Sequence, residues 1–372
     1  MKNETYKVLI LGASYGSLLA TKLLLAGHRV TLVCTASTAQ LINREGTFVR
    51  MPVRGLSRPV ILDSSDIAQT APSSNLDAKE PESVDPGEYD LVVLGMQEPQ
   101  YSSEGVRDLL KRVALAKVPS VAIMNMPPLP YLKRLPGLDV DKLMDCYTEP
   151  SLWDDFDPAL VTLASPDPQA FRPDDAQKNE LQVSLPTNFK VARFDNAEHT
   201  KMLSRIQAGI EKVRWYLPNR VETEIPVKVK VFDSLYVPLA KWSMLMTGNY
   251  RCIEDSSMRT IKDAVHTDLR ESEAVYEWTS SLCIKMGANA KDMVPFEKYA
   301  KAAAGLSKPS SAARALFGGT TNIERVDKLV RNIGRHYDMQ NDSVDQSVAR
   351  VDSRLDLNRQ EQTVTAEVVG SN

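Results

Sequence analysis

The hexapeptide GASYGS, residues 12–17, lies within VLILGASYGSLLATKLLLAGHRVTLV, residues 8–33. Small residues between a strand and a helix leave backbone N–H groups open to a phosphate, and the helix dipole favours the negative charge. In a dinucleotide fingerprint the first glycine allows the tight turn. The second lets the backbone approach a pyrophosphate, and the third lets the helix pack closely on the strand. Gly12 fits the first role. Ser14 stands at the second place, adding a hydroxyl donor and a Cβ that crowds the ligand. Ser17 stands at the third, and Gly16 gives further freedom one residue earlier. The competing reading is a small-residue turn that only packs a helix on a sheet. The apolar run before the turn and AGHRVTLV after it favour nucleotide binding.

An acidic residue at the end of the second strand would hold a ribose 2′-hydroxyl. Thr35, Ala36 and Ser37 occupy that place, which leans toward NADP and leaves NAD open. No arginine stands there to meet a 2′-phosphate; Arg44 is nine residues past Thr35.

The elements around these residues follow from apolar patterning. KVLILG (7–12) reads as a strand buried on both faces, residues 15–26 as a helix stopped by Gly27, and RVTLVC (29–34) as the next strand: a βαβ unit. A short helix over 38–46 and two short strands within 47–63 follow. Residues 64–87, rich in Ser, Asp, Pro and Glu, read as a surface loop. YDLVVLGM (89–96) is another buried strand, then come a helix over about 103–115 and the strand SVAIMNM at 120–126. Residues 159–193 have β character; from 197 onward the texture is helical, with helices expected at 198–217, 231–250, 257–287, 294–304 and 322–336. The expected fold class is α/β. A Rossmann-type doubly wound parallel sheet fills residues 1–195, a mostly α-helical domain fills 196–336, and residues 337–372 form a polar, flexible tail.

A chain of 372 residues suits two domains, and 43% apolar content suffices for their cores. The net charge of −3 carries no basic excess for nucleic acid or for a membrane surface. Four scattered cysteines offer neither metal-ligand spacing nor a disulfide framework, and no metal is expected. The opening MKNETYKVLIL lacks a signal-peptide pattern, and no apolar run reaches about 18 residues, so a cytoplasmic protein is expected. No P-loop or nucleophile elbow occurs. His28 reads as structural, and the other three histidines lack a partner at a telling spacing.

Several stretches resemble the ketopantoate reductase family of the 6-phosphogluconate dehydrogenase-like group: the glycine turn, AQLINREG, YDLVVLGMQEPQ, VAIMNMPP, LYVPLAKWSMLMTGN, KPSSAARAL and TNIERVDKLV. Together they span about residues 7–335. The resemblance implies a Rossmann domain that binds NADPH and a helical domain that closes over a 2-oxo acid, in a homodimer. It places cofactor contacts on Gly12, Ser14, Tyr15, Gly16, Ser17, Thr35, Gly95, Met96, Gln97 and Asn125. Catalytic roles fall on Lys241 and Asn125, and substrate contacts on Asn249, Ser310, Arg314 and Asn322. The chain departs from the family at four places. Gln97 and Thr35 replace the two cations for a 2′-phosphate, Leu245 replaces a second helical asparagine, and Asn322 aligns with a glutamate, with Glu324 two places on.

Hydride delivery to a carbonyl builds negative charge on oxygen, so a proton donor is needed. Lys241, in an apolar helix, suits that task; a lysine snorkelling from an amphipathic helix is the plain alternative. Lys241 and Asn249 lie roughly 80° apart on a regular helix and can face one cleft. Asn125 ends a strand, where open α/β sheets bind ligands, or is an ordinary turn asparagine before Pro127. Ser310, Ser311 and Asn322 are equally candidates for helix N-caps. Arg314 either clamps a carboxylate or lies on the surface. Trp242 and Tyr250 read chiefly as core residues. The small-molecule substrate is a 2-oxo or 2-hydroxy acid or a related carbonyl compound. An opine-type imine-reducing dehydrogenase and a non-catalytic nucleotide-binding relative are the alternatives.

Overall fold

Val8, Leu9, Ile10 and Leu11 expose no surface at all, because the strand they form lies in the middle of a sheet covered on both faces. The computed structural model describes residues 4–216 and 222–370. The chain divides into two compact units. One comprises Met1–Met96, Gln100–Arg134 and Ser151–Pro238; the other comprises Gln97–Pro99, Leu135–Pro150 and Leu239–Asn372. Among the described residues no helix is long and apolar enough to cross a membrane.

The first unit begins with β1 (Lys7–Leu11), α1 (Gly16–Leu25), β2 (Arg29–Val33), α2 (Ala36–Glu45), β3 (Phe48–Met51), β4 (Val60–Asp63), α3 (Ser64–Thr70) and β5 (Asn75–Lys79). It continues with β6 (Leu91–Leu94), α4 (Val106–Ala116), β7 (Ser120–Ile123), α5 (Leu129–Leu132), β8 (Val161–Ser165), β9 (Gln169–Phe171), β10 (Glu180–Leu185) and β11 (Phe189–Ala192). α6 (Ala197–Lys212), the short pair β12 (Trp215–Tyr216) and β13 (Glu222–Thr223), and β14 (Val229–Phe232) complete it. The main sheet has the order β14-β11-β8-β7-β6-β1-β2-β5. From β5 to β8 every pairing is parallel. This is the dinucleotide-fold order 3-2-1-4-5-6, whose direction of winding reverses between β1 and β6. The fold class is therefore the expected one. A smaller sheet, β4-β3-β10-β9, is assembled from two distant stretches.

α1 is buried from Gly16 to Leu24, because it touches strands of the main sheet as well as α3 and β3. An all-round apolar helix needs such cover. Lys22 is the exception inside it, 1% exposed. Its Nζ donates to the carbonyls of Ile225 and Pro226, each at 3.0 Å. Those carbonyls immediately precede Val227, a fully buried β-branched residue held at φ 65°, so the ammonium pins a strained turn leading into β14. His28 accepts a hydrogen bond from Tyr6 N at 3.2 Å, and burial lowers its pKa to about 4. It is a neutral packing residue, as expected.

The second unit is helical: α7 (Lys241–Met244), a π-helical turn (Leu245–Asn249), α8 (Ile261–His266), α9 (Leu269–Lys285), α10 (Phe296–Ala303), α11 (Ser311–Phe317), α12 (Val326–His336) and α13 (Asp342–Gly370).

Four expectations are corrected. The loop expected at 64–87 contains α3 and the edge strand β5, whose sequence NLDAK buries only Ala78 and so carries no apolar run. The helix expected over 231–250 begins as β14, parallel to β11. α6 and β14 consequently belong to the sheet unit, and the boundary falls after Pro238 instead of after 195. The flexible tail expected at 337–372 contains α13. Its Val344, Val348, Val351 and Leu355 are at most 2% exposed and form a narrow apolar stripe at helical spacing. This stripe lies where α13 packs on α12 and α11.

Burial lowers the Lys22 pKa to about 7 in the folded chain, against about 10.5 when exposed. Between these values the unfolded chain holds a proton that the folded chain lacks, so this group makes stability rise with pH by up to about 1.4 kcal/mol per unit. Below pH 7 both states are protonated and the slope vanishes. Urea unfolding of wild type and Lys22→Met from pH 6 to 10 should show the difference changing in favour of wild type above pH 7. A pH-independent difference would refute this.

Candidate functional site

Gly12 follows β1 at φ 101°, a region that L side chains rarely adopt. Its N–H continues the sheet by donating to Val33 O at 3.0 Å. A Cβ there would lie 2.7 Å from Met96 Cγ and 3.0 Å from Gly95 O. Gly95 N in turn donates to Leu11 O at 3.0 Å, and a Cβ on Gly95 would meet that same oxygen at 3.0 Å. Two glycines thus close the carboxyl ends of β1 and β6 onto one another at the reversal point, where open α/β sheets bind ligands.

Gly16 begins α1, and a Cβ there would lie 2.8 Å from Ile10 Cγ2. The close-packing role that the sequence placed on Ser17 therefore belongs to Gly16. Ser17 is buried and donates from Oγ to Ser14 O at 2.7 Å, bracing the turn. Ser14 is exposed at its tip. Tyr15 is anchored: its hydroxyl donates to Pro168 O at 2.6 Å, and its ring meets Phe189 edge-on at 6.0 Å. Burial raises its pKa, so it stays protonated. What Tyr15, the N-cap of α1, can offer a phosphate is its backbone N–H, since the start of an α-helix leaves such donors without intrahelical acceptors. Ser17 N and Leu18 N fold back onto Ser14 O and Tyr15 O; glycines that a Cβ would jam and an exposed Ser14 ahead of α1 fit a pyrophosphate.

Around this turn stand three other predicted residues. Met96 N donates to the buried Tyr101 hydroxyl at 3.1 Å, which fixes the chain leaving β6. Asn125, half-buried, lies two residues beyond β7, the parallel neighbour of β6. Thr35 precedes α2, its Oγ1 3.1 Å from Thr38 Oγ1. Gly12, Gly95, Met96 and Asn125 therefore occupy successive strand ends on β1, β6 and β7. Gln97 follows Met96 directly and clusters with the helical unit.

In the helical unit, Lys241 opens α7 and is half-buried, while Asn249 ends the π-helical turn. A π-turn advances less per residue than the 100° of an α-helix. The roughly 80° expected between the two residues is thereby reduced, and they come nearer to one face. Such a turn shifts the backbone ladder, and side chains fill in around it. Met244 O accepts from the Tyr299 hydroxyl at 3.0 Å, Gly248 O from Cys252 Sγ at 3.2 Å, and Asn249 O from Ser310 Oγ at 2.7 Å. Gly248 leaves room for Tyr299, since a Cβ there would overlap the tyrosine hydroxyl. Tyr250, next in the chain, donates to Glu324 O and accepts from Val326 N, tying the turn to the start of α12.

Ser310 is the N-cap of α11, accepting from Ala313 N at 3.1 Å, and it is 2% exposed. Its one proton goes to Asn249 O, so the structure gives it a positioning role in place of the expected substrate contact. Arg314 and Asn322 are exposed. Asn322 caps no helix, because α12 starts at Val326 with Arg325 before it. Trp242 and Tyr250 are core residues, 1% and 3% exposed. Sequence reasoning passed over Tyr299, whose only signal is a tyrosine in an amphipathic helix. It also passed over Asp327, fully buried and bidentate to Arg325 at 2.9 and 3.0 Å.

Neither a family model nor a curated protein sequence matches the chain. Solved structures do. The 2-dehydropantoate 2-reductase of Methylococcus capsulatus is 11% identical, with a TM-score of 0.61 over 96% of this chain and 97% of its own. D-mandelate dehydrogenase, in a ternary structure with NADH and anilino(oxo)acetate, is 12% identical, with a TM-score of 0.60 over 95% of this chain and 99% of its own. The dimeric ketopantoate reductase of Staphylococcus aureus is 10% identical, with a TM-score of 0.58 over 95% of this chain and 99% of its own. The protein has the fold of these enzymes along nearly its whole length.

The Tyr299 contact yields a coupled prediction. Gly248→Ala should cost about 1–3 kcal/mol by overpacking, and Tyr299→Phe about 1 kcal/mol through the lost hydrogen bond. In the double variant the glycine substitution should cost less, because the overlapping hydroxyl is gone. Denaturant midpoints of the four proteins test this; strictly additive costs would show that Tyr299 does not set the limit at Gly248.

Proposed function

We propose that the protein is an NAD(P)H-dependent reductase of the ketopantoate reductase type, acting on a 2-oxo acid or a related carbonyl compound. The observation that carries this reading is the pair of close-packed glycines, Gly12 and Gly95, at the reversal point of a 3-2-1-4-5-6 sheet. Its support is the full-length likeness in fold to two reductases and a dehydrogenase. A nicotinamide cofactor, when bound, supplies a hydride. The turn that enters α1 holds the pyrophosphate through the backbone N–H groups of Ser14, Tyr15 and Gly16, and the strand ends carrying Met96 and Asn125 border the bound dinucleotide.

Lys241 is the proton donor in this reading. Hydride addition turns a carbonyl oxygen into an alkoxide, and an ammonium both stabilises that charge and delivers the proton from Nζ. In the oxidative direction the amine takes the proton back. Asn249 orients the substrate, and Ser310, Tyr299 and Tyr250 hold its turn in place. The chain departs from the family at Leu245 and Asn322, so the substrate differs from ketopantoate, toward a larger or more apolar acid. A homodimer is the proposed assembly, as in the Staphylococcus aureus reductase.

The test begins with calorimetric titration of NADPH and NADH, followed by a panel of 2-oxo acids with whichever cofactor binds. Lys241→Ala should lower kcat by about 10²–10⁴-fold and leave the cofactor Kd unchanged. An unchanged kcat would remove Lys241 from the chemistry. Folded protein that binds neither nucleotide would reduce GASYGS to a packing turn and remove the reductase reading.

A further inference from the structure

The end of β2 governs how a dinucleotide's adenosine ribose is read, and both cations that the resemblance would supply there are replaced, by Thr35 and Gln97. The fold delivers another. The stretch between β9 and β10 returns alongside α2. Asn179 Nδ2 donates to Gly46 O at 2.9 Å, and Phe48 N donates to Asn179 O at 3.0 Å, which anchors that stretch just past the end of α2. From this anchor Lys178 reaches back to the first turn of α2, placing Nζ 3.3 Å from Ser37 Oγ. Ser37 lies four residues beyond Val33, the last residue of β2. Thr35 and Thr38 add two more hydroxyl groups to the same turn.

Lys178 is exposed, and among the described residues its ammonium contacts no carboxylate. Behind it Arg172 donates from Nη2 to Lys178 O at 3.2 Å, holding the residue and adding a second positive charge. This is no general basic patch, since the same loop carries Asp174 and Asp175. Position singles out Lys178, the member that extends over the end of β2. Of the other cations near the end of β2, Arg44 is paired with Glu45, and Lys79, in register with Val33, with Asp77.

We propose that Lys178, with Ser37, receives a phosphate monoester on the ribose 2′ position, so that the chain selects 2′-phosphorylated dinucleotides through a cation carried by the β9–β10 loop. An ammonium is a donor only. It favours a dianionic phosphate strongly and gives an unmodified 2′-hydroxyl, which selective sites read with a carboxylate, little advantage. The inference rests on the dinucleotide reading of the glycine turn.

The experiment separates the two. Full-length wild type, Lys178→Ala and Lys178→Arg are titrated calorimetrically with 2′,5′-ADP and with 5′-ADP, fragments that cannot turn over. Wild type should bind 2′,5′-ADP at least about tenfold more tightly, Lys178→Ala should lose about tenfold for that ligand alone, and Lys178→Arg should keep most of it. The wild-type preference should weaken with added salt. Equal affinities in wild type, or equal losses for both ligands in Lys178→Ala, would overturn the Lys178 assignment while leaving the nucleotide site standing. Binding of neither fragment by folded wild type would overturn both.

Discussion

The sheet unit depends on one close approach: the carboxyl ends of β1 and β6 come together through Gly12 and Gly95, with no side chain between them. Gly95 N reaches Leu11 O and Gly12 N reaches Val33 O, so parallel hydrogen bonding runs one residue past the strands on both sides. The chain can then turn sharply into α1 with Gly16 pressed on Ile10. Any Cβ at these places would push the strands apart or lift the helix. The requirement concerns space more than motif. It explains why serine is accepted at 14, where the turn is exposed, and at 17, where the hydroxyl braces the turn.

The helical unit meets a parallel demand by different means. A π-turn between Lys241 and Asn249 places its side chains differently from an α-turn, and buried carbonyls at its edges need donors. Tyr299, Cys252 and Ser310, from three separate places in the chain, provide them. Leu245, which stands where the family pattern has a second asparagine, is 4% exposed and opens the π-turn. Its side chain goes to packing, so the polar work of this helix is left to Lys241 and Asn249.

Legibility in the sequence followed burial. The βαβ start, the strands at 91–94 and 120–123 and most helices were readable because their apolar residues are continuous or regularly spaced. β5 was hidden because an edge strand buries one residue of five, and α13 because its four buried apolar residues, spread through a largely polar stretch, form a stripe only when wound as a helix. β14, VKVF, was masked by a helix expected to begin at 231, and only its pairing with β11 shows that the sheet unit extends that far. At the site, the glycine turn was legible through its spacing. Ser310 was legible as a cap and equally as a ligand, and only the location of its proton, on Asn249 O, separates the two. Lys178 was not legible at all, since it lies 141 residues from Ser37 and nothing local marks it.

Lys178 also bears on how departures from a family pattern are weighed. A 2′-phosphate needs positive charge at the end of β2, and the fold does not dictate which segment supplies it. Loss of an arginine from position 35 and of a lysine from position 97 therefore says little about cofactor choice until the neighbouring loops are placed. Here the smaller sheet brings residues 169–185 beside α2, and its connecting loop carries Lys178 to Ser37. The same sheet covers α1, the helix that begins at the glycine turn. One added layer of structure thus serves both ends of the proposed nucleotide site: it shields the largely apolar α1 from solvent and carries a cation toward the end of β2, where the motif residues provide none.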